Sequence, residues 1–258
     1  MTVPAEVKGV RRRADVSLRA IVANVGVLTT AQGAAPAAFA DLRADAYGHG
    51  LLPVATALAA AGIRGFVVSD DDARTALAAH YPDLPIHVGT QAGPRVAAAF
   101  DAHLLGPELF GLGEQDSAVA PSLRSNLRPA LRLTSEVLSV KRVPRGSGVS
   151  YGYTYRTSAE TTLVLSGLGF ADGIPRVASN RAPVLVNAVR ARVSGRIAMD
   201  QFVIDVGDAA PSVGDTVVLF GDGAIGEPTA ADWALATGIC SEAIVAGLGA
   251  RIERVYSR

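Results

Sequence analysis

Short apolar runs alternate with alanine-rich stretches of helical periodicity between about residues 14 and 111. This alternation is typical of consecutive βα units built on parallel strands. The pattern predicts four such units, followed by a further short strand near residues 103–105. The predicted strands are Ala14–Leu18, Ala38–Leu42, Gly65–Ser69 and Ile86–Gly89, and the predicted helices cover residues 19–30, 52–61, 70–80 and 94–100.

The pattern changes after a stretch at residues 116–129 that contains Pro, Ser and Asn. Short alternating segments follow, and turn clusters separate them, as expected of an all-β unit. Only Ala230–Thr237 and Cys240–Leu248 have helical periodicity in this half. The sequence therefore predicts an α/β domain at residues 1–115 joined to a β domain at residues 116–258.

The balanced charge and the cysteine content exclude several kinds of partner and site. The 24 Lys and Arg residues balance the 24 Asp and Glu residues, so no net field attracts nucleic acid or an anionic membrane. We therefore expect small molecules or proteins as partners. Cys240 is the only cysteine, which excludes an intramolecular disulfide and a multi-cysteine metal site, and we predict no metal. No apolar run is long enough to cross a bilayer and the N-terminus lacks a signal-peptide core, so we expect a cytoplasmic location.

Five segments carry long motifs. The first reads ADLRADAYGHG at residues 40–50, and the others read VSYGYTYR (149–156), GFADGIPRVASN (169–180), SGRIAMDQFVIDV (194–206) and RIERVY (251–256). In their order, and nearly in their spacing, these segments resemble the alanine racemase family, whose members are fold-type III pyridoxal phosphate enzymes. The resemblance implies a TIM-type (β/α) barrel followed by a C-terminal β domain, a fold of the α/β plus β class.

The first half of the chain is too short for that family's whole barrel. A complete (β/α)₈ barrel takes about 250 residues, whereas the β-rich part begins here near residue 116. The segment AHLLGPELFG at residues 102–111 resembles the one that closes the family's barrel. We therefore expect an incomplete TIM-type barrel of about four βα units, shortened internally. Because such a barrel exposes strand edges, and because family members are dimers, we expect a homodimer or a dimer with a related racemase.

Arg43 occupies the position of the family's cofactor lysine, where the family reads KADAYGHG. The resemblance implies pyridoxal phosphate held on that lysine as a Schiff base, with a tyrosine of the other subunit exchanging the α-proton on the opposite face. A guanidinium stays protonated and has no amine lone pair that forms a Schiff base. Lys8 and Lys141, the only lysines, lie outside the matching motif positions. Pyridoxal phosphate is thus the cofactor that the resemblance implies, but covalent binding is not expected.

Several other positions match the family's functional residues. Tyr151 matches the catalytic tyrosine, a general acid and base; without the motif, it reads as a packed aromatic in a tyrosine-rich turn. Tyr47 and Gly106 match positions that contact the cofactor phosphate. The positions that match the substrate-binding side are Phe170, Met199 and Asp200.

Two further positions depart from the family's pattern on the cofactor side. Leu104 stands where the family has an arginine against the pyridine nitrogen, and a leucine side chain donates no hydrogen bond. Glu242 stands where the family has a phosphate-contacting tyrosine, and its negative charge would repel a phosphate. The positions that match the family's cofactor contacts are thus partly substituted, whereas Tyr151 and most of the matching substrate-side positions are retained.

Three functional interpretations remain open at this point. The leading one is an alanine-racemase-like pseudoenzyme that does not use the standard pyridoxal phosphate route and that binds a small molecule, such as an amino acid or an analogue, or a protein partner. The enzyme alternative is an active amino-acid racemase that interconverts L- and D-alanine, or a related isomerase, with Tyr151 as acid and base and Arg43 gripping an anionic substrate or cofactor. The third is a fold retained for assembly alone.

Overall fold

The computed structural model describes residues 9–30, 38–89, 103–113 and 120–258. The elements of the first half are β1 (Arg12–Ser17), α1 (Leu18–Thr30), β2 (Ala38–Asp41), α2 (Leu51–Ala60), β3 (Gly65–Val68), α3 (Asp71–Ala78), β4 (Ile86–Val88) and β5 (His103–Leu105). Four of its strands form a parallel sheet in the order β4-β3-β2-β5. Every residue of β2 and β3 is buried, as expected of parallel strands covered on both faces.

The start of α3 confirms a local sequence signal. The side chain of Asp70 accepts a hydrogen bond from the backbone N–H of Ala73 at 2.9 Å, which caps the helix. Asp71 and Asp72 lie in the first turn, where the helix dipole favours negative charge. The predicted helix at residues 94–100 lies outside the described residues.

The second half contains a closed barrel of six antiparallel strands. The elements of this half are α4 (Pro121–Arg124), β6 (Leu131–Val143), β7 (Gly148–Val149), β8 (Tyr155–Arg156), β9 (Thr161–Ser166), β10 (Pro183–Val186), β11 (Val189–Ser194), β12 (Phe202–Asp205), β13 (Thr216–Phe220), α5 (Ala230–Thr237), α6 (Ser241–Ala246) and β14 (Glu253–Ser257). The barrel runs β6-β9-β12-β11-β10-β13 and closes because β13 also pairs with β6. Trp233 on α5 is fully buried, and its indole N–H donates to the carbonyl oxygens of Pro183 and Leu219 at 2.9 and 2.7 Å.

The placement of the first strand in the parallel series was wrong. β1 pairs in parallel with β14 and antiparallel with β6, so it extends the sheet of the second half. Only alternate residues of β1, Ala14 and Val16, are fully buried, which is the pattern of a strand with one buried face. Its partners lie more than 100 residues away, so no local signal identified them. The division at residues 115 and 116 stays a prediction.

The loop after β2 packs against α6. Gly48 has a φ of 77°, and a Cβ atom added there would lie 2.6 Å from the carbonyl oxygen of Val245. The guanidinium of Arg254 on β14 donates to the carbonyl oxygens of Gly48 at 3.2 Å and of Leu248 at 2.8 Å. These contacts join the two halves of the chain at the end of β2, where the motif of residues 40–50 lies.

Candidate functional site

A buried carboxylate organises the end of β2. The side chain of Asp41, the last residue of β2, is 3% exposed. The guanidinium of Arg43 binds it through both carboxylate oxygens, with Nε 2.9 Å from Oδ1 and Nη2 2.6 Å from Oδ2. The phenol of Tyr47 donates to the same Oδ2 at 2.9 Å. Asp41, Arg43 and Tyr47 therefore form one network, which we call the Asp41 cluster.

The backbone of this loop adopts a conformation that places Tyr47 beside Asp41. Residues 44–47 have φ values of 52° to 56°, so four consecutive non-glycine residues lie in the left-handed region. Each costs about 1–2 kcal/mol relative to a right-handed conformation. Two hydrogen bonds hold the turn, one from the N–H of Ala44 to Ser69 Oγ at 2.8 Å and one from the N–H of Leu51 to Asp45 Oδ1 at 2.7 Å.

The Asp41 cluster fixes the protonation of its members. The hydrogen bond to Asp41 is the main cause that raises the pKa of Arg43 above its already high ordinary value. Burial, reinforced by the negative charge of Asp41, raises the pKa of Tyr47. Arg43 is therefore a permanent cation and Tyr47 a neutral hydrogen-bond donor at any physiological pH.

The region around Gly106 carries negative charge. Glu108 follows Gly106 by two residues, and a methyl group added at Gly106 would lie 3.3 Å from Glu108 Oε2. A methyl group added at Gly113 would lie 3.5 Å from Glu242 Oε1 and 3.6 Å from Glu108 Oε1. Both carboxylates thus approach Gly113, where their charge disfavours a phosphate. Leu104 lies beside Phe39 in the sheet and offers no polar group.

These residues do not fit a pyridoxal phosphate group held as in the family that the motifs resemble. The lysine position holds a guanidinium bound to a buried carboxylate, and Glu108 lies close to Gly106, one of the two predicted phosphate contacts. Lys141 is exposed on β6, and Lys8 lies outside the described residues. The contacts of Tyr47 and Gly106 with a phosphate stay predictions; in this structure the Tyr47 phenol donates a hydrogen bond to Asp41.

The predicted substrate-side residues come together on one rim of the second half. The N–H of Ala171, next to Phe170, donates to the carbonyl oxygen of Met199 at 2.9 Å. Arg251 binds Asp200 Oδ1 at 2.7 Å, and the guanidinium of Arg176 lies 5.2 Å from the ring centre of Phe170. Met199 is 57% exposed. These positions therefore form a solvent-facing surface.

Tyr151 lies close to the same rim. The preceding residue, Ser150, has a φ of 59°, and its hydroxyl donates to the carbonyl oxygen of Arg196 at 2.6 Å. This bond ties the turn to the loop that carries Met199. Tyr151 is 66% exposed. No hydrogen bond or ion pair within the described ranges joins Tyr151, Met199 or Asp200 to the Asp41 cluster.

Sequence reasoning missed three buried carboxylates in the described part of the chain, and two of them, Asp41 and Asp172, lie within the motifs. Asp41 follows three apolar residues of β2, so an acid at the end of a buried strand was the available signal. Asp172 lies within the GFADGIP motif and is fully buried; Arg12 and Arg251 bind its Oδ1 at 3.2 and 2.9 Å. Because Arg251 also binds Asp200, Asp172 anchors the rim to β1 and to the C-terminal segment.

The described residues contain neither a membrane-spanning helix nor a metal-binding cluster. In that part of the chain, no helix has both the length and the apolar character to span a bilayer. No group of three His, Cys, Asp or Glu side chains there is arranged to hold a metal ion.

Comparisons with known proteins identify relatives of both halves. The family model "Alanine racemase, N-terminal domain" matches residues 16–107, and "Alanine racemase, C-terminal domain" matches residues 130–256. The alanine racemase of Frankia casuarinae is 46% identical over 172 residues, which are 66% of this chain and 44% of that protein. The alanine racemase of Thermobifida fusca is 45% identical over 173 residues, which are 66% of this chain and 45% of that protein. The chain thus spans less than half the length of these relatives.

Solved structures show the same fold. The alanine racemase of D-cycloserine-producing Streptomyces lavendulae matches with a TM-score of 0.84 and 27% identity, covering 97% of this chain and 98% of that one. The alanine racemase of Streptomyces coelicolor A3(2) matches with a TM-score of 0.84 and 29% identity, covering 95% and 98%.

Proposed function

Because the chain belongs to the alanine racemase family, we propose that it is a non-racemising member that acts through association with a second subunit. The Asp41 cluster replaces the cofactor lysine, and the rim that carries Tyr151 and Met199 serves as the docking surface. This subunit is a second copy of the chain or a complete racemase.

The observation that carries this proposal is the bidentate pair between Arg43 and Asp41. A guanidinium cannot form a covalent bond to an aldehyde cofactor as a lysine amine does. The guanidinium of Arg43 also makes two hydrogen bonds to the buried carboxylate of Asp41. If Arg43 turned to bind a substrate, that carboxylate would stay desolvated without its cation. Arg43 is therefore a structural cation in this proposal rather than a group that grips a ligand.

The shortened first half supports the need for a partner. The sequence alignments cover less than half of the relatives, whereas the structural alignments run over nearly the full length of both chains. In our proposal an internal shortening accounts for both findings. Within the described residues the parallel sheet ends at β4 and at β5, so the proposed incomplete barrel would have unpaired strand edges. A second subunit in the cytoplasm covers these edges in this proposal, because unpaired strand edges otherwise promote aggregation.

The covalent part of the proposal is tested with the wild-type chain and pyridoxal phosphate. The mixture is scanned for the visible absorbance of a protein-bound Schiff base, reduced with borohydride, and mapped by peptide mass spectrometry. We expect no absorbance beyond that of an exposed lysine and no adduct that depends on the fold. The same treatment of urea-unfolded protein is the control. A protected adduct formed only by the folded chain would overturn the proposal.

The partner part is tested by sedimentation. The chain is run alone and after mixing with a full-length alanine racemase. In at least one sample we expect a dimer that contains this chain. The variant Tyr151→Ala/Met199→Ala should weaken that association, whereas Leu235→Ala, on an exposed position of α5, should not. A chain that stays monomeric in both samples would contradict the partner role.

An active racemase is the second candidate, and one observation favours it. Tyr151, the predicted acid and base, is exposed and free to reach a ligand of a neighbouring subunit. This candidate requires turnover of alanine that is lost in Tyr151→Phe. Measuring the exchange of the α-proton of L-alanine by NMR distinguishes this candidate from the non-racemising proposal.

A further inference from the structure

A groove of about 690 Å³ lies on the outer face of the barrel, between the strands β10 and β11 and the helix α5. Its lining includes Arg181, Arg190 and Arg192 on the strand side, and Leu235 and Ala236 on the helix side. The three arginines and Leu235 are exposed. The groove therefore opens to solvent and presents both charged and apolar side chains to a partner.

The strand side of this groove carries an excess of positive charge. Residues 173–199 contain five arginines and no Asp or Glu, although the whole chain has no net charge. Asp232 is the acid that lines the groove, and it binds Arg190 at 2.9 Å. No ion pair within the described ranges involves the guanidinium of Arg181 or Arg192. Two cations of the groove are thus left for a partner.

The geometry of the strands sets the spacing of the arginines. Arg190 and Arg192 are alternate residues of β11, so they lie on the same face, about 7 Å apart along the strand. Pro183 of β10 lies opposite Arg192, and Arg181 precedes Pro183 by two residues, which places the three arginines around one groove. Because β11 already pairs with β10 and β12, a partner cannot add a strand to it. Recognition in this groove therefore takes place through side chains.

The lining of the groove favours an acidic peptide over a nucleic acid. A guanidinium binds a carboxylate through two parallel hydrogen bonds, and an extended peptide repeats its side chains at the spacing of β11. If acids alternate with apolar residues in such a peptide, the acids face the arginines and the apolar side chains face Leu235 and Ala236. Single-stranded nucleic acids instead stack their bases on aromatic side chains, and none of the described residues that line the groove is aromatic.

We propose that this groove binds an extended acidic segment of another protein, in which Asp or Glu alternates with apolar residues. Arg181 and Arg192 pair with carboxylates of the segment, and Leu235 and Ala236 contact its apolar side chains. The residues of the rim that carries Tyr151 do not line the groove. The acidic segment is therefore bound independently of the second subunit proposed above.

Two labelled peptides test this proposal as a matched pair. In one peptide Glu alternates with Val, and in the other Gln replaces every Glu. Binding to the full chain is measured by fluorescence anisotropy at low and at high salt. We expect the Glu peptide to bind about tenfold more tightly than the Gln peptide at low salt, and this difference to shrink at high salt because exposed ion pairs are screened. The variant Tyr151→Ala/Met199→Ala, which changes only the rim, should give the same affinities as the wild type.

Three variants locate the binding, and all of them change exposed side chains, so we expect each variant to fold. Arg181→Gln/Arg192→Gln should lower the affinity for the Glu peptide about tenfold and leave the affinity for the Gln peptide unchanged. The matched control is Arg19→Gln/Arg64→Gln, which removes the same charge from two exposed arginines outside the groove and should bind as the wild type does. Leu235→Ala should weaken the binding of both peptides about threefold, because it removes only an apolar contact.

Three outcomes would overturn the proposal. Equal affinities of the wild type for the two peptides, or binding of neither, would show that the arginines do not recognise carboxylates. An equal loss of affinity in Arg19→Gln/Arg64→Gln would show that overall charge, rather than the groove, attracts the Glu peptide. An oligothymidylate that binds at least as tightly as the Glu peptide, and that loses affinity in Arg181→Gln/Arg192→Gln, would show that the groove holds a nucleic acid instead.

Discussion

Asp41 and Arg43 lie two residues apart at the end of β2, and the burial of the Asp41 carboxylate depends on the Arg43 cation. A buried carboxylate needs a cation or several donors, and Arg43 together with Tyr47 supplies them. The sequence alone identified Arg43 and Tyr47, because the resemblance assigns functions to those two positions of the motif, which it does not do for Asp41. It did not identify Asp41, because an acid beside a strand reads as a surface residue until the burial of that strand end is known.

Removing Asp41 should destabilise the fold. Asp41→Ala leaves Arg43 and the Tyr47 phenol without their shared partner. Breaking a fully buried pair costs about 3–5 kcal/mol; because Arg43 is partly exposed, we expect a free energy of unfolding lower by about 2–3 kcal/mol. Urea unfolding measures this. The matched control is Asp208→Ala, which removes a 90% exposed partner of Arg142 and should cost less than about 1 kcal/mol. Equal costs for the two variants would contradict a structural role for Asp41.

Restoring the lysine alone should not restore cofactor attachment. In Arg43→Lys, the carboxylate of Asp41 favours the protonated amine, and an ammonium group is not nucleophilic. The double variant Arg43→Lys/Asp41→Asn removes that charge, so we expect borohydride to trap more pyridoxal phosphate on residue 43 in the double variant than in the single one. Peptide mass spectrometry measures both. Equal trapping would show that Asp41 does not control the amine.

His49 should make stability depend on pH. Its pKa is lowered by burial from 6.5 to about 4, so the unfolded chain binds a proton there before the folded chain does. The contribution to stability is fully present above pH 6.5 and is lost as the pH falls towards 4. We expect a loss of about 2–3 kcal/mol between pH 7 and about pH 4.5. Urea unfolding of His49→Gln should lack this part of the decrease, and an identical pH profile would contradict the assignment.

Helices and strands that depend on neighbouring residues were predicted correctly, whereas pairings between residues far apart in the sequence were not. The start of α3 was predicted because its cap is local. Asp70 accepts a hydrogen bond from the N–H of Ala73, only three residues further along the chain. The strands β2, β3 and β4 were predicted from short apolar runs between helical stretches. The role of β1 was predicted wrongly, because β6 and β14 are distant partners that its own residues do not encode. The closure of the barrel by β13 on β6 was not predicted for the same reason.

The contact between the loop after β2 and α6 can be tested at a single glycine. Gly48→Ala forces an alanine into a left-handed conformation and places its Cβ 2.6 Å from the carbonyl oxygen of Val245. Gly62→Ala has the same conformational problem, with φ 92°, but no atom lies within 4 Å of the added Cβ. We expect a cost of about 1–2 kcal/mol at Gly62 from strain alone, and a further 1–3 kcal/mol or so at Gly48 from the clash. Similar unfolding free energies for the two variants would show that α6 does not pack on the loop.

In the whole molecule, the chain shares the fold of its family. In our proposal the Tyr151 rim is the other shared feature, and Asp172 holds that rim in place through Arg251. The proposal further takes the ion pair of Arg43 with Asp41, and Glu108 beside Gly106, as departures from the family's cofactor side. The net charge of zero gives no long-range attraction, so any partner must be recognised by shape and local contacts.

The proposed function requires that this chain does not abstract the α-proton of alanine. The most direct measurement follows the exchange of that proton by NMR in D₂O, with L-alanine, pyridoxal phosphate and the wild-type chain, against pyridoxal phosphate alone. We expect the same exchange rate in both samples and no effect of Tyr151→Phe. A rate that rises in proportion to the protein and falls in Tyr151→Phe would contradict it.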